Sequence, residues 1–143
     1  MTLNPYKLTS SAMVLMSVLV AGCSTETDSM EITDQQSLTL VRRQILPWKQ
    51  VYDRELVVAS LPLCTRRYDL DRDEGGNEAL EVYPMEGSQY ILKDKNGAWL
   101  ANLTDCTLTR STSIPPGERI GVFESKGQVL RFTRVKPQNP EKQ

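Results

Sequence analysis

The sequence has no histidine, only three cysteines, and only two tryptophans and two phenylalanines among its 143 residues. Histidine is the most frequent general base in enzymes and a frequent metal ligand, so its absence disfavours the commonest catalytic and zinc sites. The Gly-x-Ser-x-Gly, His-Glu-x-x-His and phosphate-loop patterns are also missing. Sites built from a Ser-Lys pair or from two carboxylates stay open. We therefore predict a protein that is not an enzyme and uses no cofactor or metal.

An excess of positive charge is likewise missing. The chain has 17 Lys and Arg against 18 Asp and Glu, a formal net charge of −1. This balance does not indicate nucleic acid as a partner. Small basic groups occur at Arg42-Arg43, at Arg66-Arg67 and within residues 131–136. They could contact lipid phosphate or an acidic partner, but solvated strand faces are the simpler interpretation.

The sequence also lacks an apolar run long enough to cross a membrane. Residues 12–22, AMVLMSVLVAG, would form about 16 Å of helix, whereas the hydrocarbon core is about 30 Å thick. The run follows a short segment that carries Lys7 and no acidic residue. A positive start, a short apolar stretch and a small-residue end are typical of a cleaved secretion signal. A buried core helix is the alternative, but the run shows no amphipathic stripe.

The end of this run, Leu19-Val20-Ala21-Gly22-Cys23, resembles the lipobox of bacterial lipoprotein precursors. The resemblance implies cleavage after Gly22, a diacylglyceryl thioether on Cys23 and an acylated new amino terminus. Several acyl chains anchor a protein stably, since each buried CH₂ contributes about 0.8 kcal/mol. By analogy with Gram-negative lipoproteins, Ser24 implies the outer membrane, with the domain facing the periplasm; the inner membrane and the cell surface are alternatives. The segments LPLCTRRY, LEVY and WLANLTDC also resemble small proteobacterial lipoproteins, a resemblance that implies no function.

Residues 23–37 follow the motif and are predicted to form a flexible acidic tether. They contain four acidic residues, no Lys or Arg, and little apolar content with which to pack. A coil of this length has a typical end-to-end distance of about 20 Å.

The remaining cysteines, Cys64 and Cys106, form an even pair once Cys23 is assigned to lipid. In an exported chain such a pair is most simply a disulfide. It would close a loop of about 43 residues, which the chain-entropy model values at about 4 kcal/mol. A free reactive thiol is the alternative, but it usually needs a nearby base.

Residues 38–136 are predicted to form an all-β domain of about seven short antiparallel strands, closed as a small barrel or sandwich, and residues 137–143 a disordered tail. Apolar residues recur at every second position, and turn residues separate the runs. Asp94-Lys95-Asn96-Gly97 and Ser125-Lys126-Gly127 predict hairpin turns. Residues 38–52 fit a helix or a strand, and strand is slightly favoured. The predicted core is Leu56, Val58, Leu80, Val82, Ile91, Trp99, Val122, Phe123, Leu130 and Phe132.

Residues 69–78, DLDRDEGGNE, alternate acidic residues as a calcium-binding loop does. Positions 1, 3 and 5 of an EF-hand loop match, but Glu74 replaces the required glycine and Glu81 falls one residue late. A solvated hairpin loop that turns at Gly75-Gly76 is the favoured interpretation. Trp48 and Trp99 are further candidates as anchors of a binding groove, although packing explains Trp99 better.

These features together predict a lipid-anchored periplasmic module that binds or scaffolds in the bacterial envelope. Its expected partners are the membrane, through Cys23, and an envelope protein or peptidoglycan. A small envelope hydrolase, or an inhibitor of a lytic hydrolase, is the alternative. An inhibitor would present a rigid protruding loop, for which residues 111–118, STSIPPGE, are the candidate.

Overall fold

The computed structural model describes residues 22–136, so the predicted signal peptide before Gly22 and the tail at 137–143 lie outside the described residues. The described part contains ten β-strands and no helix, and hence no helix long and apolar enough to cross a membrane. The strands are β1 (Thr25–Glu31), β2 (Gln36–Gln44), β3 (Tyr52–Ser60), β4 (Cys64–Asp73), β5 (Leu80–Pro84), β6 (Gln89–Asp94), β7 (Gly97–Asn102), β8 (Thr107–Ser111), β9 (Gly121–Lys126) and β10 (Val129–Arg134).

The strands form two antiparallel sheets that pack as a β-sandwich, as the all-β prediction allowed. The first sheet has the order β1-β2-β3-β4, and the second has the order β10-β9-β5-β6-β7-β8. Within residues 22–136 no backbone ladder joins the two sheets, so the barrel alternative is not realised. Side chains close the two seams instead: Asp28 of β1 accepts a hydrogen bond from the Phe132 amide of β10, and the Cys64–Cys106 disulfide lies on the β4 side.

The core lies between the sheets and follows the period-two pattern of the sequence. Leu38 and Leu40 of β2 point into it, as do Leu56 and Val58 of β3, because alternate residues of a strand face the same side. Nine of the ten predicted core residues are buried, and Phe132 is partly buried against Phe123. The core also contains Met30, Leu38, Leu40, Tyr52, Ala59, Leu92, Ala101, Leu103 and Cys106.

Both predicted hairpins are present. Asp94 pairs with Gly97 across the turn between β6 and β7, and Gly97 has a positive φ of 153°. The turn between β9 and β10 consists of Gly127 and Gln128, whose φ values are 58° and 68°. Two successive positive φ values match the twist of a tight hairpin.

The prediction of a flexible tether over residues 23–37 is wrong, because residues 25–31 form strand β1. All seven residues of β1 pair with β2, and Met30 is fully buried. The acidic side chains that suggested a solvated coil have specific partners: Glu26 forms an ion pair with Arg42, and Asp28 accepts the Phe132 N–H. Ion pairs and hydrogen bonds of the polar side chains therefore hold this strand in place, although it has few apolar residues. Strand β1 is also one reason why the domain has ten strands and not about seven.

Candidate functional site

One end of the sandwich carries Cys23, and we call it the Cys23 end. It comprises Cys23, the β2–β3 loop (residues 45–51), the β4–β5 connection (74–79) and the tips of the β6–β7 and β9–β10 hairpins. Register and side-chain contacts bring these segments together, since Tyr52 pairs with Asp73 and Arg54 contacts Asp94. The disulfide and the β3–β4 turn lie at the opposite end.

Cys23 is exposed and is not part of the disulfide. Its Sγ lies 3.7 Å from the carbonyl oxygen of Ile45, and the next residue, Ser24, accepts a hydrogen bond from the Gln44 amide at 2.9 Å. The cysteine therefore lies against the start of the β2–β3 loop. The residue is exposed at the margin of the folded domain.

The β2–β3 loop presents Trp48 to solvent with 76 % of its surface exposed. The loop is held by its own hydrogen bonds: the Ile45 amide donates to the Val51 carbonyl at 3.0 Å, and the Gln44 side chain donates to the Lys49 carbonyl at 2.9 Å. Trp48 is thus displayed by an ordered loop. Trp99, in contrast, is buried under the Arg110 guanidinium, which confirms that it packs in the core.

Beneath the surface of the Cys23 end lies a buried charge cluster around Arg54, which is only 2 % exposed. Its Nη2 lies 2.7 Å from Asp94 Oδ2 and 3.2 Å from Glu78 Oε2, and its Nε donates to the Asp71 carbonyl at 2.7 Å. Lys95 Nζ lies 2.6 Å from the other oxygen of Glu78. The hydrogen bond to Glu78 raises the pKa of Lys95. Each carboxylate of the cluster is therefore matched by a cation.

A second arginine, Arg42, is also buried, so the interpretation of Arg42-Arg43 as a solvated basic pair is wrong for Arg42. Arg42 is 3 % exposed and forms an ion pair with Glu26, whereas Arg43 is exposed. The Arg42 guanidinium also donates to the carbonyl oxygens of Gly76 (3.1 Å) and Gln128 (3.2 Å). It therefore joins β1 and β2 to the second sheet and its loops.

Residues 69–78 do not form the hairpin loop that the sequence favoured. Residues up to Asp73 belong to β4, and 74–79 cross from the first sheet to β5 of the second. Asp73 points inward, and its carboxylate accepts hydrogen bonds from the amides of Gly75, Gly76 and Glu78 at 2.7–3.1 Å. This carboxylate organises the connection. Across residues 22–136 no group of three His, Cys, Asp or Glu side chains is placed to hold a metal ion.

The Cys23 end also contains a shallow cleft of about 350 Å³ beside the Arg54 cluster. Its lining comprises Asn77, Glu78, Ala79, Glu81, Asp94 and Lys95. Glu78 and Asp94 are already paired with Arg54, so neither carboxylate is left without a cation for a ligand in the cleft to neutralise. A hydrogen bond from the Tyr83 hydroxyl to Glu81 raises the pKa of Tyr83 just outside it.

The predicted disulfide is present: Cys64 and Cys106 are bonded, and they link the start of β4 to the turn before β8. The Tyr68 hydroxyl donates to the Cys106 carbonyl beside it at 2.6 Å. Leu61 and Leu63 are exposed in the β3–β4 turn at this end.

Sequence reasoning missed Arg42, Arg54 and Asp73 as buried charges. Their partners lie between 2 and 86 residues away along the chain. One signal was present, since Arg42 and Arg54 occupy the same strand faces as the core leucines Leu40 and Leu56.

No protein-family model, curated protein or solved structure matches this chain.

Proposed function

We propose that this protein is a lipid-anchored module of the bacterial cell envelope, attached through Cys23, that binds or scaffolds rather than catalyses. The observation that carries the proposal is the Leu19–Cys23 motif, whose cysteine is exposed and is separated from Thr25, the first residue of β1, by Ser24 alone. A modified thiol at this position needs no rearrangement of the sandwich. We propose the outer membrane, with the domain in the periplasm, on the basis of Ser24.

The disulfide supports an exported location. Disulfides persist in oxidising compartments such as the periplasm and are rare in the cytosol. The Cys64–Cys106 bond joins the two sheets at one seam of the sandwich, so it belongs to the architecture of the domain. The side chains of the Cys23 end support binding or scaffolding rather than catalysis, since its buried carboxylates are paired with arginine or with backbone amides.

The anchor is tested by expressing the full chain and its Cys23→Ser variant in a Gram-negative host supplied with a labelled fatty acid. We expect label on the wild-type protein, which fractionates with the outer membrane, and no label on the variant. Equal labelling of both proteins, or wild-type protein without label, would contradict the proposal.

The scaffold role is tested by crosslinking in intact cells: we expect an envelope protein or peptidoglycan to be recovered.

The inhibitor alternative has one observation in its favour. The loop after β8 carries Ile114, which is 89 % exposed, next to Pro115 and Pro116. Proline fixes the backbone and lowers the entropy lost when a loop binds. Inhibition of a cell-wall lytic hydrolase by the purified protein, abolished in Ile114→Asp, would favour this function over a scaffold.

A further inference from the structure

The chain between the proposed lipid and the first strand is very short. Only Ser24 separates Cys23 from Thr25, where β1 begins, and Ser24 is itself hydrogen-bonded to Gln44. Two residues span at most about 7 Å. A lipid on Cys23 would therefore hold the Cys23 end of the sandwich directly against the bilayer.

The β2–β3 loop lies beside Cys23 and presents the side chains that suit a membrane interface. The Cys23 Sγ is 3.7 Å from the Ile45 carbonyl, and Pro47, Trp48 and Lys49 follow as exposed residues. An indole combines a large apolar surface with one N–H donor, which is why tryptophan collects where membranes meet water. An exposed lysine beside it can reach anionic headgroups.

The loop does not need to rearrange to expose these side chains. The Lys49 amide donates to the Leu46 carbonyl at 3.1 Å, and the Gln44 side chain donates to the Lys49 carbonyl at 2.9 Å. Gln44 thus connects the loop to Ser24, which is the residue next to the anchor. The orientation of Trp48 relative to Cys23 is set by the end of β2.

We propose that the β2–β3 loop docks on the lipid bilayer, with the Trp48 indole at headgroup level and Lys49 near lipid phosphate; the proposal rests on the lipid anchor proposed above. The bilayer is the occupant because the anchor brings it to this loop whichever partner the domain binds elsewhere. Exposed Asp53 and Glu74 also lie at the Cys23 end. The indole, rather than an excess of positive charge, therefore carries the contact.

The test anchors the mature chain, residues 23–143, to vesicles through Cys23. Cys23 is the free thiol, since Cys64 and Cys106 are bonded to each other, so it can be coupled to a maleimide-bearing phosphatidylethanolamine. The vesicles contain phosphatidylethanolamine and phosphatidylglycerol, with or without bromine on the upper acyl chain. We expect brominated lipid to quench the tryptophan emission of the wild-type protein and the quenching to be lost in Trp48→Phe, where buried Trp99 remains.

A matched control moves the reporter to the opposite end of the sandwich. Leu63 is 79 % exposed, close to the 76 % of Trp48, so Leu63→Trp in the Trp48→Phe background displays a tryptophan to the same degree. We expect no quenching in this variant. An unquenched wild-type protein, or equal quenching at positions 48 and 63, would overturn the docking proposal. Because the coupling is chemical, this result is independent of whether cells attach lipid to Cys23, which the labelling experiment decides.

Discussion

At the scale of single residues, two buried arginines hold together the segments that form the Cys23 end of the sandwich. Arg54 contacts Asp94 and Glu78, and Arg42 contacts Glu26 and two backbone carbonyls. Transferring such charges out of water is costly, so a buried pair adds little net stability over an apolar replacement of both partners. Removal of one partner has a much larger effect, because the other charge stays buried without compensation.

Arg54→Met tests this account with little change in side-chain volume. We expect the free energy of unfolding to fall by about 3–5 kcal/mol, since Asp94 and Glu78 would lose their shared cation. Urea denaturation measures the change. The matched control is Arg72→Met: Arg72 is paired with Asp53, but both side chains are more than half exposed, and we expect a loss of about 0–1 kcal/mol. Similar small losses in both variants would contradict a structural role for the buried cluster.

At the scale of secondary-structure elements, β1 shows that an acidic segment can form a full strand. It has one fully buried apolar residue, Met30, and its polar residues pair across the ladder, as Ser29 does with Thr39 at 2.7 Å. Asp28 accepts the Phe132 amide of β10, so this side chain also covers part of an open sheet edge.

Hydrogen exchange distinguishes a strand from a tether. We expect the ladder amides of residues 25–31 to exchange at rates close to those of β2, because both strands share one set of backbone hydrogen bonds. The exposed Gly87 turn provides an internal reference for rapid exchange. If residues 25–31 exchanged as fast as this turn, the strand assignment would be contradicted and a flexible segment after Cys23 restored.

The sequence predicts elements well where their causes are local. The Asp94–Gly97 turn and the alternating core residues of β3 depend on neighbours within a few positions, and both are present. Strand β1 and buried Arg42 depend on remote partners: Arg42 contacts Gly76 and Gln128, which are 34 and 86 residues away. Composition alone therefore assigned β1 to a coil. The Cys64–Cys106 bond is predictable despite its separation of 42 residues, because only two cysteines remain once Cys23 is assigned to lipid.

At the scale of the whole molecule, the sandwich has two different ends. The disulfide and the exposed turn of Leu61 and Leu63 lie at the end opposite Cys23. A nine-residue strand such as β2 spans about 30 Å, so the two ends are separated by roughly that distance. Under the proposed function the disulfide end projects away from the bilayer, and it is the end that an envelope partner reaches first.

The disulfide is expected to stabilise the whole domain, because it joins the two sheets across a seam that has no backbone ladder within residues 22–136. For a closed loop of this length the chain-entropy model gives about 4 kcal/mol. We expect Cys64→Ser/Cys106→Ser to lower the free energy of unfolding by about that amount in urea titrations. Wild-type protein unfolded with a reducing agent is the control and should match the variant. A loss below about 1 kcal/mol would show that the seam is held by other contacts.

We propose that the mature protein begins at Cys23 and is anchored there by lipid. The decisive measurement is mass spectrometry of the N-terminal tryptic peptide, isolated from membranes of cells that express the full chain. We expect a peptide that starts at Cys23, ends at Arg42 and carries the mass of a diacylglyceryl group and an amide-linked acyl chain. A peptide that continues upstream of Cys23, or that starts at Cys23 with an unmodified thiol and amine, would contradict it.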